Sequence, residues 1–128
     1  QCRNKSIIIL GSGDAAFDQA LNFRRFTNDI TIAIRGKTPK CMPMLLKRSK
    51  SAGIKLLFEY DIKSIAEATD GIEATFNDDK KMKANIIDIC IGKEQNFNFM
   101  AKNLLSRNTK GIFWAGDCKR GMNRQASI

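Results

Sequence analysis

Along the chain, blocks of consecutive apolar residues alternate with stretches in which apolar residues recur every three or four positions. Residues 5–10 are the first block, with the wholly apolar Ile7, Ile8, Ile9 and Leu10 at its end. That is the pattern of a strand buried on both faces of a parallel sheet. From Asp14 to about Phe26, Ala16, Phe17, Ala20, Leu21 and Phe23 leave Asp18, Gln19 and Asn22 on the other side, which is helical spacing. Asp14 falls in the first turn and Arg24 and Arg25 in the last, as the helix dipole favours. Residues 29–34 are a second β-branched block. Strand, helix and strand within about 30 residues predict a βαβ unit with parallel strands and a right-handed crossover. Beyond a loop containing Pro39, a helix is predicted between Pro43 and Ala52, ended by Gly53, and a third strand over residues 54–58.

The pattern then changes. Two short runs, residues 62–66 and 72–76, flank Ala68-Thr69-Asp70-Gly71, where Asp-Gly signals a hairpin. Asn77-Asp78-Asp79-Lys80 reads as another turn, and residues 84–91 as one long apolar strand closed by Gly92. These pieces predict an antiparallel insert laid over one face of the parallel sheet. A short helix at about residues 97–105 and a last strand at 111–115 complete the reading. The expected fold class is α/β: a Rossmann-like parallel sheet flanked by helices, with a short antiparallel β insert.

Composition narrows the function classes. A chain of 128 residues suits one core. No apolar run is long enough to span a bilayer and no signal-peptide pattern opens the chain, so no membrane role is expected and cytoplasm is the default compartment. Cys2, Cys41, Cys90 and Cys118 contain no C-x-x-C pair and the chain has no histidine, so neither a metal centre nor a disulfide framework is expected. Cys90 reads as a small buried hydrophobe. The net charge of +9 suits an anionic partner, nucleic acid or a phosphorylated cofactor. Its basic residues are scattered, with small clusters at Lys37–Lys40, Lys47–Lys50 and Lys80–Lys83 and no interleaved aromatics, which disfavours nucleic acid.

Between the first strand and the first helix stands Gly11-Ser12-Gly13-Asp14-Ala15-Ala16, a G-x-G-x-x-A variant of the dinucleotide-binding fingerprint. Gly11 permits the tight turn, Gly13 lets a pyrophosphate approach the backbone, and Ala16 lets the helix pack closely on the strand. The free N–H groups at the helix start would face the phosphates. The alternative is an ordinary tight turn. An NAD site usually ends its second strand in an acid; here the sequence is Ala33-Ile34-Arg35-Gly36-Lys37, and the nearest acid, Asp29, is at the wrong end. Arg35 could pair with a 2′-phosphate in a contact worth about 1.5–3 kcal/mol, which favours NADP over NAD.

The glycine turn is similar to the GGGDSA-type turn of thioredoxin reductases and their relatives, the FAD-dependent pyridine nucleotide-disulfide oxidoreductases. Residues 87–96, IDICIGKEQN, resemble the family's strand ending in Ile-Gly, with Gln95 where Pro is usual. Residues 111–127, GIFWAGDCKRGMNRQAS, resemble its second FAD motif. The resemblance implies that Gly11, Ser12, Gly13, Asp14 and Ala15 cradle the pyrophosphate. Arg35, helped by Lys37, would read the adenosine ribose, and Gly92 would let the nicotinamide half pass. Gly116 and Asp117 would contact FAD at its ribityl–pyrophosphate region, with Arg124, Gln125 and Ala126 along the flavin. The family's NADPH members often carry His-Arg-Arg where this chain has Ile34-Arg35-Gly36, so one of two arginines is kept.

The first FAD fingerprint and the helix expected after Ala126 are not in these residues. The resemblance therefore implies the NAD(P)H-binding part of a larger flavoprotein, residues 1–110, followed at 111–128 by the start of the second half of a truncated FAD domain. The parent would be an oxidoreductase passing hydride from NADP or NAD to FAD and on to a disulfide or other acceptor, the part alone being inactive. A family C-x-x-C would fall just upstream of Gln1; Cys2 is close to that region, but a lone cysteine cannot cycle as a dithiol and is given no catalytic role, and no catalytic residue is identified. Rival readings are a non-enzymatic NAD(P)H sensor and a basic nucleic-acid binder. The electron acceptor and the oligomeric state, a homodimer included, are left open by these residues.

Overall fold

In the computed structural model, the described residues are 2–92, 110, 111 and 113. Residues 1–92 form one compact unit. In chain order its elements are β1 (Ile7–Leu10), α1 (Asp14–Phe23), β2 (Ile30–Ile34), α2 (Pro43–Ser51), β3 (Lys55–Phe58), β4 (Ile62–Ala68), β5 (Gly71–Phe76), β6 (Lys81–Ala84) and β7 (Ile86–Ile89). Two sheets result: a four-stranded one in the order β3-β2-β1-β7, and a three-stranded one in the order β4-β5-β6. The first is wholly parallel, with Ile7 beside Ile30 on one flank of β1 and beside Ile86 on the other. The second is antiparallel.

Every residue of β1 and β2 is buried because each strand is covered on both faces. Side chains alternate across a strand, so each face gathers every second residue. On one face Ile7, Ile9, Ile30, Ile32 and Ile34 pack with Ala16, Phe17 and Ala20 of α1, Leu45 of α2, and Ile54. On the other, Ile8, Leu10 and Ala33 pack with Ala74, Phe76 and Ala84 of the antiparallel sheet. The insert thus lies where the pattern placed it. Each fully buried Ile or Phe here contributes about 1.5–3 kcal/mol. Tyr60 meets Phe76 edge-on at 5.1 Å between ring centres, and Lys80 sits 5.2 Å over the Tyr60 ring.

Several boundaries differ from expectation. Residues 84–91 are not one strand: β6 ends at Ala84 in the antiparallel sheet, and β7 begins at Ile86 in the parallel one. Asn85 makes the crossing. Its Oδ1 accepts from the Ser6 N–H at 3.0 Å and the Ser6 hydroxyl at 3.1 Å, while its own N–H donates to Ser6. Helix α1 stops at Phe23, so Arg24 is its C-cap and not part of its last turn. The Arg24 guanidinium instead donates from Nε to the Ala52 carbonyl at 2.7 Å, serving the end of α2. Strand β4 runs on to Ala68, leaving Thr69 and Asp70 as the turn. Gly71 is required there, because a Cβ would stand 2.5 Å from the Ala84 carbonyl oxygen. The helix expected at 97–105 and most of the strand expected at 111–115 lie outside the described residues, and Gly111 itself is in a turn. Among the described residues no helix is long and apolar enough to cross a membrane.

Candidate functional site

The glycine turn sits at the carboxyl end of β1, and its two glycines have different surroundings. The Gly11 N–H donates to the Ala33 carbonyl at 3.1 Å, and the Cys90 N–H to the Leu10 carbonyl at 2.7 Å. A Cβ on Gly11 would stand 2.5 Å from the Cys90 carbonyl oxygen and 3.0 Å from the Ala16 Cβ. Gly11 therefore answers to the protein's own packing, and fully buried Ala16 keeps α1 close to the sheet. Gly13 differs. It is the N-cap of α1, no side chain caps it, and a Cβ there would meet nothing within 4 Å. Open space before an uncapped helix start is what an anionic group needs.

A loop from the next strand is stitched to this turn. The Ser12 carbonyl accepts from the Lys40 N–H at 2.7 Å. Asp14 Oδ1 accepts from the Met42 N–H, also at 2.7 Å. The carboxylate of Asp14, expected in the pyrophosphate cradle, is thus engaged by the chain's own backbone. Arg35, exposed, directly follows the last residue of β2, and exposed Lys37 lies two residues on. The structure so brings Gly11, Ser12, Gly13, Asp14, Ala15, Arg35 and Lys37 to the carboxyl edge of the parallel sheet, where open α/β sheets bind ligands. Gly92, exposed with φ +107°, follows the carboxyl end of β7. Gly116, Asp117, Arg124, Gln125 and Ala126 lie outside the described residues.

Two residues at this edge were not singled out from the sequence. Lys40 belonged to a noted basic cluster, but its backbone bond to Ser12 has no sequence signal. Glu59 is the first residue after β3, as Arg35 is after β2, and its Oε1 lies 3.8 Å from Lys37 Nζ. Cys90 is half-buried, less enclosed than expected. Desolvation, and then the Asp88 carboxylate, push its thiol above the ordinary value. Burial likewise raises Cys41, with Asp14 adding to it. A recess lined by Lys5, Asp70, Gly71 and Asn85 lies at the amino end of β1, away from the glycine turn.

A parallel sheet flanked by helices, with an antiparallel sheet on its other face and an uncapped glycine turn after its first strand, defines an α/β protein of the Rossmann-like class. The family model for pyridine nucleotide-disulphide oxidoreductases matches residues 1–127, and the chain belongs to that family. Similar solved structures include the atypical thioredoxin reductase TRi of Desulfovibrio vulgaris Hildenborough. It is 26% identical, with 95% of this chain and 45% of that one covered and a TM-score of 0.63. The thioredoxin reductase of Giardia duodenalis is 18% identical, covering 96% of this chain and 47% of that one, with a TM-score of 0.67. For that of Lactococcus lactis the values are 22%, 70%, 32% and 0.63. The chain thus spans between 32% and 47% of the length of these structures. No curated protein sequence matches it significantly.

Proposed function

We propose that this chain is the nicotinamide-dinucleotide-binding part of a thioredoxin reductase-like flavoprotein oxidoreductase. Residues 1–110 would bind NAD(P)H, and residues 111–128 would begin the second half of the FAD domain. The observation that carries this reading is the stitched edge: an open, uncapped glycine turn with a basic loop hydrogen-bonded to it. The residues present fit a dinucleotide, since the Cβ position of Gly13 is unfilled space. The nucleotide, when bound, supplies hydride for FAD and through it for a disulfide or other acceptor. The protein's share is placement. Gly11 makes the tight turn, its own N–H bonded to the Ala33 carbonyl, while Ser12, Gly13, Asp14 and Ala15 offer backbone N–H groups to the pyrophosphate, and Arg35 with Lys37 supplies positive charge for the adenosine ribose and its 2′-phosphate. Gly92 lets the chain pass beside the nicotinamide half. Gly116, Asp117, Arg124, Gln125 and Ala126 are assigned to FAD on the motif alone.

The test is calorimetric titration of the 128-residue chain with NADPH and NADH at moderate salt, beside Arg35→Ala. NADPH is expected to bind about tenfold more tightly, and the substitution to remove that preference, as a charge-assisted contact of about 1.5 kcal/mol requires. Failure of both nucleotides to bind at millimolar concentration would overturn the reading.

A further inference from the structure

We propose that Glu59 limits the preference of this site for a 2′-phosphate, an inference that rests on the dinucleotide reading above. Three observations carry it. Glu59 directly follows β3, so it stands at the same carboxyl edge as Arg35 and Lys37. Its backbone is locked to the basic loop: its N–H donates to the Gly36 carbonyl at 3.2 Å, and the next N–H, of Tyr60, donates to the Ile34 carbonyl at 3.0 Å. Its φ is +62°, a left-handed conformation uncommon for a residue with a side chain, and one that marks a position held by its surroundings.

The side chain then decides the local field. Glu59 Oε1 lies 3.8 Å from Lys37 Nζ, with both groups exposed. An exposed pair of this kind adds almost nothing to stability. Its effect on a bound anion is different. The carboxylate neutralises one of the two cations offered to the ribose end and stands as a negative charge near any 2′-phosphate. A 2′-hydroxyl carries no charge and is indifferent to it. Glu59 therefore weakens NADPH binding selectively and leaves NADH nearly untouched, so the chain is less NADPH-selective than its arginine alone would make it. The acid that the second strand lacks at its end is thus brought in from the third.

The experiment measures NADPH and NADH affinities of the 128-residue chain for wild type, Glu59→Gln and Glu59→Gly, at 20 and 200 mM salt. Glycine suits the left-handed backbone, so two differently shaped variants remove the same charge. Glu67→Gln, on the exposed strand β4, removes one negative charge elsewhere. Both Glu59 variants are expected to bind NADPH about 3- to 10-fold more tightly at low salt, as removal of one screened charge several ångströms away predicts. NADH should change less than twofold, and the gain should shrink at high salt. An unchanged NADPH-to-NADH ratio in both variants, with wild type binding normally, would overturn the role of Glu59 alone. An equal gain from Glu67→Gln would overturn it too, since the effect would then be one of net charge. Weaker NADH binding without tighter NADPH binding would make Glu59 a ribose ligand instead, and would also refute the proposal. Absence of binding by wild type defeats the dinucleotide reading itself.

Discussion

At the two glycines of the turn, the same residue type answers two different demands. Gly11 is small because the Cys90 carbonyl and Ala16 crowd it, whereas a Cβ on Gly13 would meet nothing within 4 Å, in the space proposed here for the pyrophosphate. The two substitutions by alanine should therefore separate. Gly11→Ala overpacks the junction of strand and helix, and should cost about 1–3 kcal/mol in urea denaturation. Gly13→Ala should cost less than about 1 kcal/mol, as expected for an exchange at an N-cap, yet weaken NADPH binding at least tenfold. A Gly13→Ala chain that bound NADPH normally would remove the pyrophosphate from this turn. The thiols give a second residue-level expectation. Burial raises Cys41 and Cys90, so the folded state holds their protons more tightly than the unfolded state does. Their contribution to stability is full below the ordinary thiol pKa of about 8.5 and is lost as pH rises through the raised values. Alkylation of both by iodoacetamide, followed by mass spectrometry, should be slow at pH 7 and accelerate only above that ordinary value. Rapid labelling at neutral pH would reveal a thiolate instead.

The elements were legible wherever one period ran without interruption. The βαβ unit was visible because four apolar residues in a row, then a three-and-four spacing, then a second β-branched run can each satisfy only one geometry. The junction at Asn85 was not visible. Ala84 faces one sheet's core and Ile86 joins the other sheet, so hydrophobicity continues across the crossing and only a single asparagine marks it. Strand β6 was hidden for a related reason. Its Lys81 and Lys83 point to solvent while Met82 and Ala84 point inward, and the lysines were read as a charge cluster. The end of α1 was misplaced because Arg24 looked like a dipole partner, whereas its actual acceptor is the carbonyl of distant Ala52. At the site, the glycine turn and Arg35 were readable, while the bonds from Lys40 and Met42 and the position of Glu59 depend on tertiary packing. If Asn85 joins the sheets as the geometry indicates, Asn85→Ala should cost about 1–2 kcal/mol, from loss of the two bonds its side chain accepts from Ser6. A double-mutant cycle with Ser6→Ala should show coupling between the two positions. Additive effects would mean that Asn85 acts alone.

For the molecule as a whole, the net charge of +9 is the feature that two kinds of anionic partner would both exploit. They differ in how many phosphates they bring and therefore in how salt affects them. A nucleic acid engages many phosphates, and its affinity falls steeply with salt as counterions are released. A dinucleotide offers two or three, held by a built turn and a stitched loop. The folded state alone contains that arrangement, so NADPH at a hundredfold excess over its dissociation constant should stabilise the chain by about 2.7 kcal/mol. For a chain of this size that corresponds to an upward shift in Tm on the order of 10 °C. The shift should persist when salt rises from 50 to 200 mM, and should vanish in Gly13→Ala. Duplex DNA at equal phosphate concentration should give a smaller shift that disappears at the higher salt. The opposite order, with DNA stabilising more and NADPH not at all, would mean that the basic surface serves a phosphate lattice and that the glycine turn is only a junction between strand and helix.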